Sequence, residues 1–117
     1  MKYLALICCL ASPAIADDVT VLDVTASASS DGTWRFDVTV EHADTGWDHY
    51  ADGWRIEDAD GTELGMRVLA HPHVNEQPFT RSLSGVAIPE GTDEVFVRAR
   101  DLLHGWNDDV TPVPLTR

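Results

Sequence analysis

Cysteine is scarce in this chain of 117 residues, which has only the adjacent pair Cys8 and Cys9. Lysine is scarcer, a single residue at position 2, and Lys and Arg together number 8 against 20 Asp and Glu, for a formal net charge of -12 and a pI near 4.4. A chain this acidic lacks the basic clusters that neutralise phosphates and anionic headgroups, so nucleic acid and acidic membrane surfaces are excluded as partners. Long apolar runs are missing too. No segment approaches the roughly 20 apolar residues that a membrane-spanning helix needs, so membrane insertion is not expected. What remains, 44% hydrophobic with 24% charged, is the balance of one soluble globular domain and excludes disorder as the main state.

The first residues have a different character. Met1 and Lys2 form a short basic start, Tyr3 to Ala11 is apolar, and Ala14-Ile15-Ala16 is a small-x-small cleavage site followed by Asp17-Asp18. A secretory signal peptide is expected over 1–16, with the domain over 17–117 and a periplasmic or secreted location. Neither Cys8 nor Cys9 follows the small residue that a bacterial lipoprotein signal places before its acylated cysteine, so a lipid anchor is not expected. Cleavage removes both cysteines and Lys2. The 8 basic residues less Lys2 leave 7 arginines against 20 acids, a formal charge of -13. Disulfides, thiolate zinc sites, cysteine nucleophiles and a blue-copper centre are thereby excluded from 17–117.

The remainder reads as strands. Val19 to Ala28 precedes the turn Ser29-Ser30-Asp31-Gly32, after which Trp34, Phe36, Val38 and Val40 alternate with Arg35, Asp37, Thr39 and Glu41. Trp54 and Ile56 begin a third strand, Asp58-Ala59-Asp60-Gly61 turns it, and Leu64, Met66 and Val68 continue the alternation. That turn has the first ligand positions of a calcium loop but no glutamate at the twelfth, so a plain hairpin is expected. A fifth strand runs from Phe79 to Ile88 with a bulge at Gly85, a sixth carries Val95, Val97 and Ala99, and Val110 to Leu115 is an edge strand because of Pro112 and Pro114. Seven short antiparallel strands predict an all-β sandwich of immunoglobulin-like character.

The run from Ile88-Pro89-Glu90-Gly91-Thr92 into Val95-x-Val97-x-Ala99-x-Asp101 resembles the start of the sixth strand in immunoglobulin and fibronectin type III domains, although the corner tyrosine and a cysteine pair are missing. Two further stretches, Trp47-Asp48-His49-Tyr50-Ala51-Asp52-Gly53-Trp54 and His71-Pro72-His73 through Ser82, resemble segments of small uncharacterised secreted proteins of proteobacteria. That resemblance covers about the central half of the chain and implies no activity.

Connections in an antiparallel sandwich alternate between its two ends. Ser29–Gly32, Asp58–Thr62 and Pro89–Asp93 are tight turns at one end, whereas Ala43–Gly53, Ala70–Pro78 and Leu102–Asp109 are longer and share the other. All five histidines lie in or beside the longer set. Long loops on a rigid scaffold are where binding residues concentrate. Pro72 favours an extended His71, which places the His71 and His73 rings on one face about 6.6 Å apart along the chain. Two such imidazoles converge on one metal at about 2.0 to 2.1 Å. The expected metal ligands are therefore His71 and His73, with His49 or His104 as a third nitrogen and Glu76 or an aspartate as an oxygen donor; sulfur-free nitrogen and oxygen donors suit Zn(II), Cu(II) or Ni(II). His42 continues the inward face of its strand and is expected to cap the core.

Loop histidines also commonly just hydrogen-bond within a turn, and a second functional class stands beside metal binding. Trp47, Tyr50 and Trp106 are candidate contacts for a carbohydrate or protein ligand. Arg81 is placed to orient Glu76 or Asp101, or to form a structural ion pair. Trp34 and Trp54 are expected in the core, and Arg98 and Arg100 on a solvated face beside acidic neighbours. No spacing selects a triad or an acid–base pair, so enzyme activity is not expected.

Overall fold

The computed structural model describes residues 18–116. The expected signal peptide, 1–16, lies outside them. The described residues form eight strands: β1 (Thr20–Ala28), β2 (Trp34–Glu41), β3 (Ala51–Glu57), β4 (Glu63–Val68), β5 (Phe79–Val86), β6 (Glu94–Asp101), β7 (Gly105–Trp106) and β8 (Thr111–Pro114). Two antiparallel sheets face each other, one in the order β1-β2-β5, the other β4-β3-β6 with β7 and β8 both pairing β6. The fold is all-β, as its alternating pattern predicted. The unexpected strand is β7, which divides the edge of β6 with β8: β8 pairs Glu94 to Val97, and β7 pairs Arg100 and Asp101.

Alternation decides what is buried. Trp34, Phe36, Val38 and Val40 of β2 face Trp54, Ile56, Val95, Val97 and Ala99 of the other sheet, and Val19, Ala51, Leu69, Phe79, Val86 and Val113 join them in the core. The expected bulge in β5 is present. Between the pairs Trp34↔Val86 and Phe36↔Leu83, the single residue Arg35 of β2 opposes Ser84 and Gly85 of β5, and Gly85 takes a φ of 72° that an L side chain rarely adopts. A second irregularity lies where a loop was expected. Ala51, Asp52 and Gly53 already belong to β3, with an extra residue between the Ala51↔Asp101 and Gly53↔Arg100 pairs. The glycine was read as loop, yet its missing side chain lets the neighbouring strand approach: a Cβ at Gly53 would lie 2.9 Å from Met66 Cε and 3.3 Å from the Arg67 carbonyl.

The outer face of the second sheet is charged, as expected of Arg98 and Arg100. Arg98 and Arg55 both donate to the buried carboxylate of Glu57, at 2.7 and 2.6 Å, and Arg100 donates to Asp52 at 2.9 Å. Burial pushes the Glu57 carboxyl up, but the hydrogen bonds from Arg98 and Arg55 outweigh it and hold the group below the usual carboxylate range. In the Asp58 turn, the side chain accepts the amides of Asp60 and Thr62 at 2.9 Å, a hairpin turn as expected.

The two sheets pack tightly where β4 meets β5. A Cβ on Gly65 would stand 3.1 Å from Leu83 Cδ2 and 3.3 Å from Val86 Cγ2. Gly65→Val is therefore expected to destabilise the protein by about 1–3 kcal/mol through overpacking, measured by urea unfolding; unchanged stability would mean that Leu83 simply moves aside.

Candidate metal centre at the loop end

The inward faces of three strands run past the apolar core at the same end. His42 follows Trp34, Phe36, Val38 and Val40 in phase, Asp101 follows Val95, Val97 and Ala99, and His49 precedes Ala51 by two residues. Period-2 geometry points Asp101, and His42 one residue past β2, toward the gap between the sheets, and the turn closed by the Gly46–His49 bridge brings His49 to them. One ligand atom from each of His42, His49 and Asp101 lies within 4.8 Å of the others. The His42 and His49 rings meet edge-on at 4.8 Å, and the His49 and His104 rings at 5.2 Å.

Each member is held by neighbours. Asp44, with a side chain 0% exposed, accepts from His42 Nδ1 at 2.7 Å. A carboxylate behind a ligating imidazole is the usual way of orienting it and raising its basicity. Asp44 also accepts the amides of Ala51 (3.0 Å) and His73 (2.8 Å). Asp101 accepts the amides of Leu103 and His104 at 2.9 and 2.7 Å, with His104 Nδ1 at 3.1 Å. His49 Nε2 is different. It is buried with no hydrogen-bond partner, 3.4 Å from Asp101 Oδ1 but out of line for a bond. Nitrogen and oxygen ligands at about 2.0–2.2 Å around a tetrahedral ion stand about 3.3 Å apart, so closing this group by about 1.5 Å or less makes a coordination set. Asp44 and Asp101 are bonded here by imidazoles and backbone amides rather than by arginines, so a cation between them would be welcome electrostatically.

The expected His71–His73 pair forms a separate group across Asp44. Their rings lie 4.5 Å apart, closer than the extended spacing of about 6.6 Å expected, with the chain bent at His71, and one nitrogen of each ring is engaged otherwise. Arg81 Nη2 donates to His73 Nε2 at 2.9 Å, and the His73 ring stacks on Phe79 at 3.8 Å. A guanidinium is always a donor, so the His73 proton sits on Nδ1, which is buried without a partner. His71 Nδ1 donates to the Pro72 carbonyl at 3.1 Å. Arg81 thus serves His73, not Glu76 or Asp101 as expected from its position. Glu76 is exposed and acts on His73 only through its charge. Gln77 ties the two groups together, accepting the His42 amide at 3.1 Å and donating to the His73 carbonyl at 2.8 Å.

The aromatic candidates also separate. Trp47 is exposed and meets Tyr50 edge-on at 5.7 Å. Trp106 lies under Arg55, whose guanidinium carbon is 4.1 Å from its ring, with that of Arg100 at 5.3 Å. The residues that sequence reasoning missed as site members are His42, Asp44 and Asp101. The available signal was the unbroken alternation through positions 40–42 and 99–101.

A protein of the archaeon Halomicrobium mukohataei named "Putative lipoprotein" is 43% identical to this chain over 89 residues, which make up 76% of this chain and 43% of that protein. The chain thus spans less than half the length of this relative. No family model matches the chain, and no solved structure matches it.

Removing Asp44 strands three buried donors, at about 1–3 kcal/mol each, so Asp44→Ala is expected to lower unfolding stability by about 3 kcal/mol or more; a loss below about 1 kcal/mol would show that the loops do not depend on it. Burial, then the charges of Arg81 and His71, hold the His73 imidazole below its ordinary value. The unfolded chain then takes up this proton first, so the stability tied to neutral His73 is complete above about pH 6.5 and is lost as pH falls below it. Wild type is accordingly expected to lose more stability than His73→Phe between about pH 7.5 and 5.5, as followed by urea titrations.

Proposed function

We propose that this chain is an exported or cell-envelope domain whose loop end binds a divalent transition metal, Zn(II) or Cu(II), as a carrier or buffer, and that it is not an enzyme. Export is supported by the basic-apolar-small pattern of residues 1–16 and by the name of the archaeal relative. A periplasmic or secreted location is the finer form of this reading. An immunoglobulin-like or fibronectin type III-like ancestry is supported by the partition of strands, β1-β2-β5 against β4-β3-β6-β8, with β4 beside β3 rather than in the sheet of β1 as in constant-type immunoglobulin domains.

The observation that carries the metal reading is His49 Nε2, a buried nitrogen without a hydrogen-bond partner that faces Asp101 within ligand range of His42. Leaving such an atom unbonded costs about 1–3 kcal/mol, and a cation restores that loss. His42, His49 and Asp101 are the proposed ligands, with His104 as a flanking nitrogen. Two imidazoles and a carboxylate suit Zn(II) and Cu(II) and leave a coordination position for water or a further ligand. The surrounding negative charge raises the local concentration of cations.

At a free metal concentration about 100-fold above Kd, binding adds about 2.7 kcal/mol, enough to raise Tm by roughly 10 °C in a domain of this size. EDTA-treated protein is expected to show such a rise with Zn(II) or Cu(II) in a thermal melt, His49→Ala to abolish it, and His71→Ala to retain it. No rise with either metal ends the reading, and a rise that survives His49→Ala but vanishes in His71→Ala moves the site to the His71–His73 pair.

A further inference from the structure

Trp47, Leu102 and Leu103 are 66%, 44% and 65% exposed, and they belong to two loop segments joined at Tyr50. Trp47 meets Tyr50 edge-on, the Tyr50 carbonyl accepts the Leu102 amide at 2.9 Å, and Leu103 follows in the chain. The backbone beneath them is braced. Asp101 holds the amides of Leu103 and His104, while the Thr45 amide donates to the His49 carbonyl at 3.0 Å and the His49 amide to the Gly46 carbonyl at 3.2 Å. Large apolar side chains presented together on a braced turn have no folding role there, and such patches mark interaction sites. A pre-ordered tip also loses little entropy on binding.

Charge narrows the partner. The segments 42–50, 69–78 and 102–110 contain neither Lys nor Arg, whereas Asp48, Glu76, Asp108 and Asp109 are exposed on them. A second copy of this chain would bring the same acids to the contact, and an anionic bilayer would repel them. A sugar would want a flat aromatic platform, yet the Trp47 and Tyr50 planes stand at 77° and two leucines flank them. We propose that the tip formed by Trp47, Tyr50, Leu102 and Leu103 is a docking surface for a protein partner that presents an apolar pocket rimmed by Lys or Arg. Aromatic anchors in apolar pockets supply the affinity, and the acidic rim supplies steering and selection against wrong partners. This inference stands apart from the metal reading, because the docking residues are not the proposed ligands.

The test uses the protein in EDTA and three fluorescein-labelled peptides of equal length, built from Lys and Leu, Lys and Ser, and Glu and Leu, with anisotropy as the readout. The expected result is saturable binding of the Lys/Leu peptide alone, weakened by salt and reduced about tenfold in a Trp47→Ser, Leu103→Ser double variant whose Tm matches wild type. The inference is overturned if no peptide binds, if the Lys/Ser peptide binds equally well, or if the double variant binds undiminished. Cosedimentation with phosphatidylcholine or phosphatidylcholine/phosphatidylglycerol vesicles, or dimerisation lost in the double variant, would overturn it in favour of a membrane or of a second copy.

Discussion

Strands β2 and β6 place every second side chain between the sheets, and neither stops doing so when its apolar residues run out. After Val40 the next inward position is His42, and after Ala99 it is Asp101. Asp101 is still paired in its ladder and His42 follows the last paired residue of β2 in phase, so the core ends in a polar layer. Burying such groups is tolerable only if each finds a partner. Much of the loop end follows from that requirement. The chain from 42 to 50 folds back so that Asp44 reaches His42, and the turn from 102 to 104 closes so that its amides reach Asp101. His49 is the member whose buried nitrogen this arrangement leaves without a hydrogen bond.

Asp44 and Gln77 make three separate connections into one unit. Through Asp44, the first loop holds both His42 and the amide of His73 from the second, and Gln77 closes the same loop pair from the other side. The third loop joins through the Tyr50 carbonyl and the His49–His104 contact. The assembly holds the cluster of His42, His49 and Asp101 in its interior and leaves Trp47, Leu102 and Leu103 exposed at its surface. The negative charge of the chain serves the two alike, because it favours cations near the imidazoles and basic groups near the rim.

Much of this was legible in the residues. The alternation of Trp34 to Val40 and of Val95 to Ala99 marked the core strands, Gly85 marked its bulge, and the prolines marked the edge strand. The end of the molecule that gathers the histidines followed from the parity of antiparallel connections. The pairing of the histidines did not. His71-Pro72-His73 brings two rings together, but the chain bends there and a guanidinium from β5 takes one nitrogen of His73. That interaction joins residues 73 and 81 through the path of a loop, and no local pattern encodes it. His42 and Asp101 meet across 59 positions of chain, from different sheets. Gly53 misled for a related reason, since a glycine that admits a neighbouring strand looks in sequence like a glycine that makes a turn.

The sequence by itself determined the class of fold, the inward phase of each strand and the absence of thiol chemistry after residue 16, because each depends on residue type and on a two-residue period. Tertiary structure alone decided which polar side chains share a site. Sheet packing sets the distances between strand ends, and a difference of a few ångströms separates an imidazole bonded to arginine from one that faces a carboxylate.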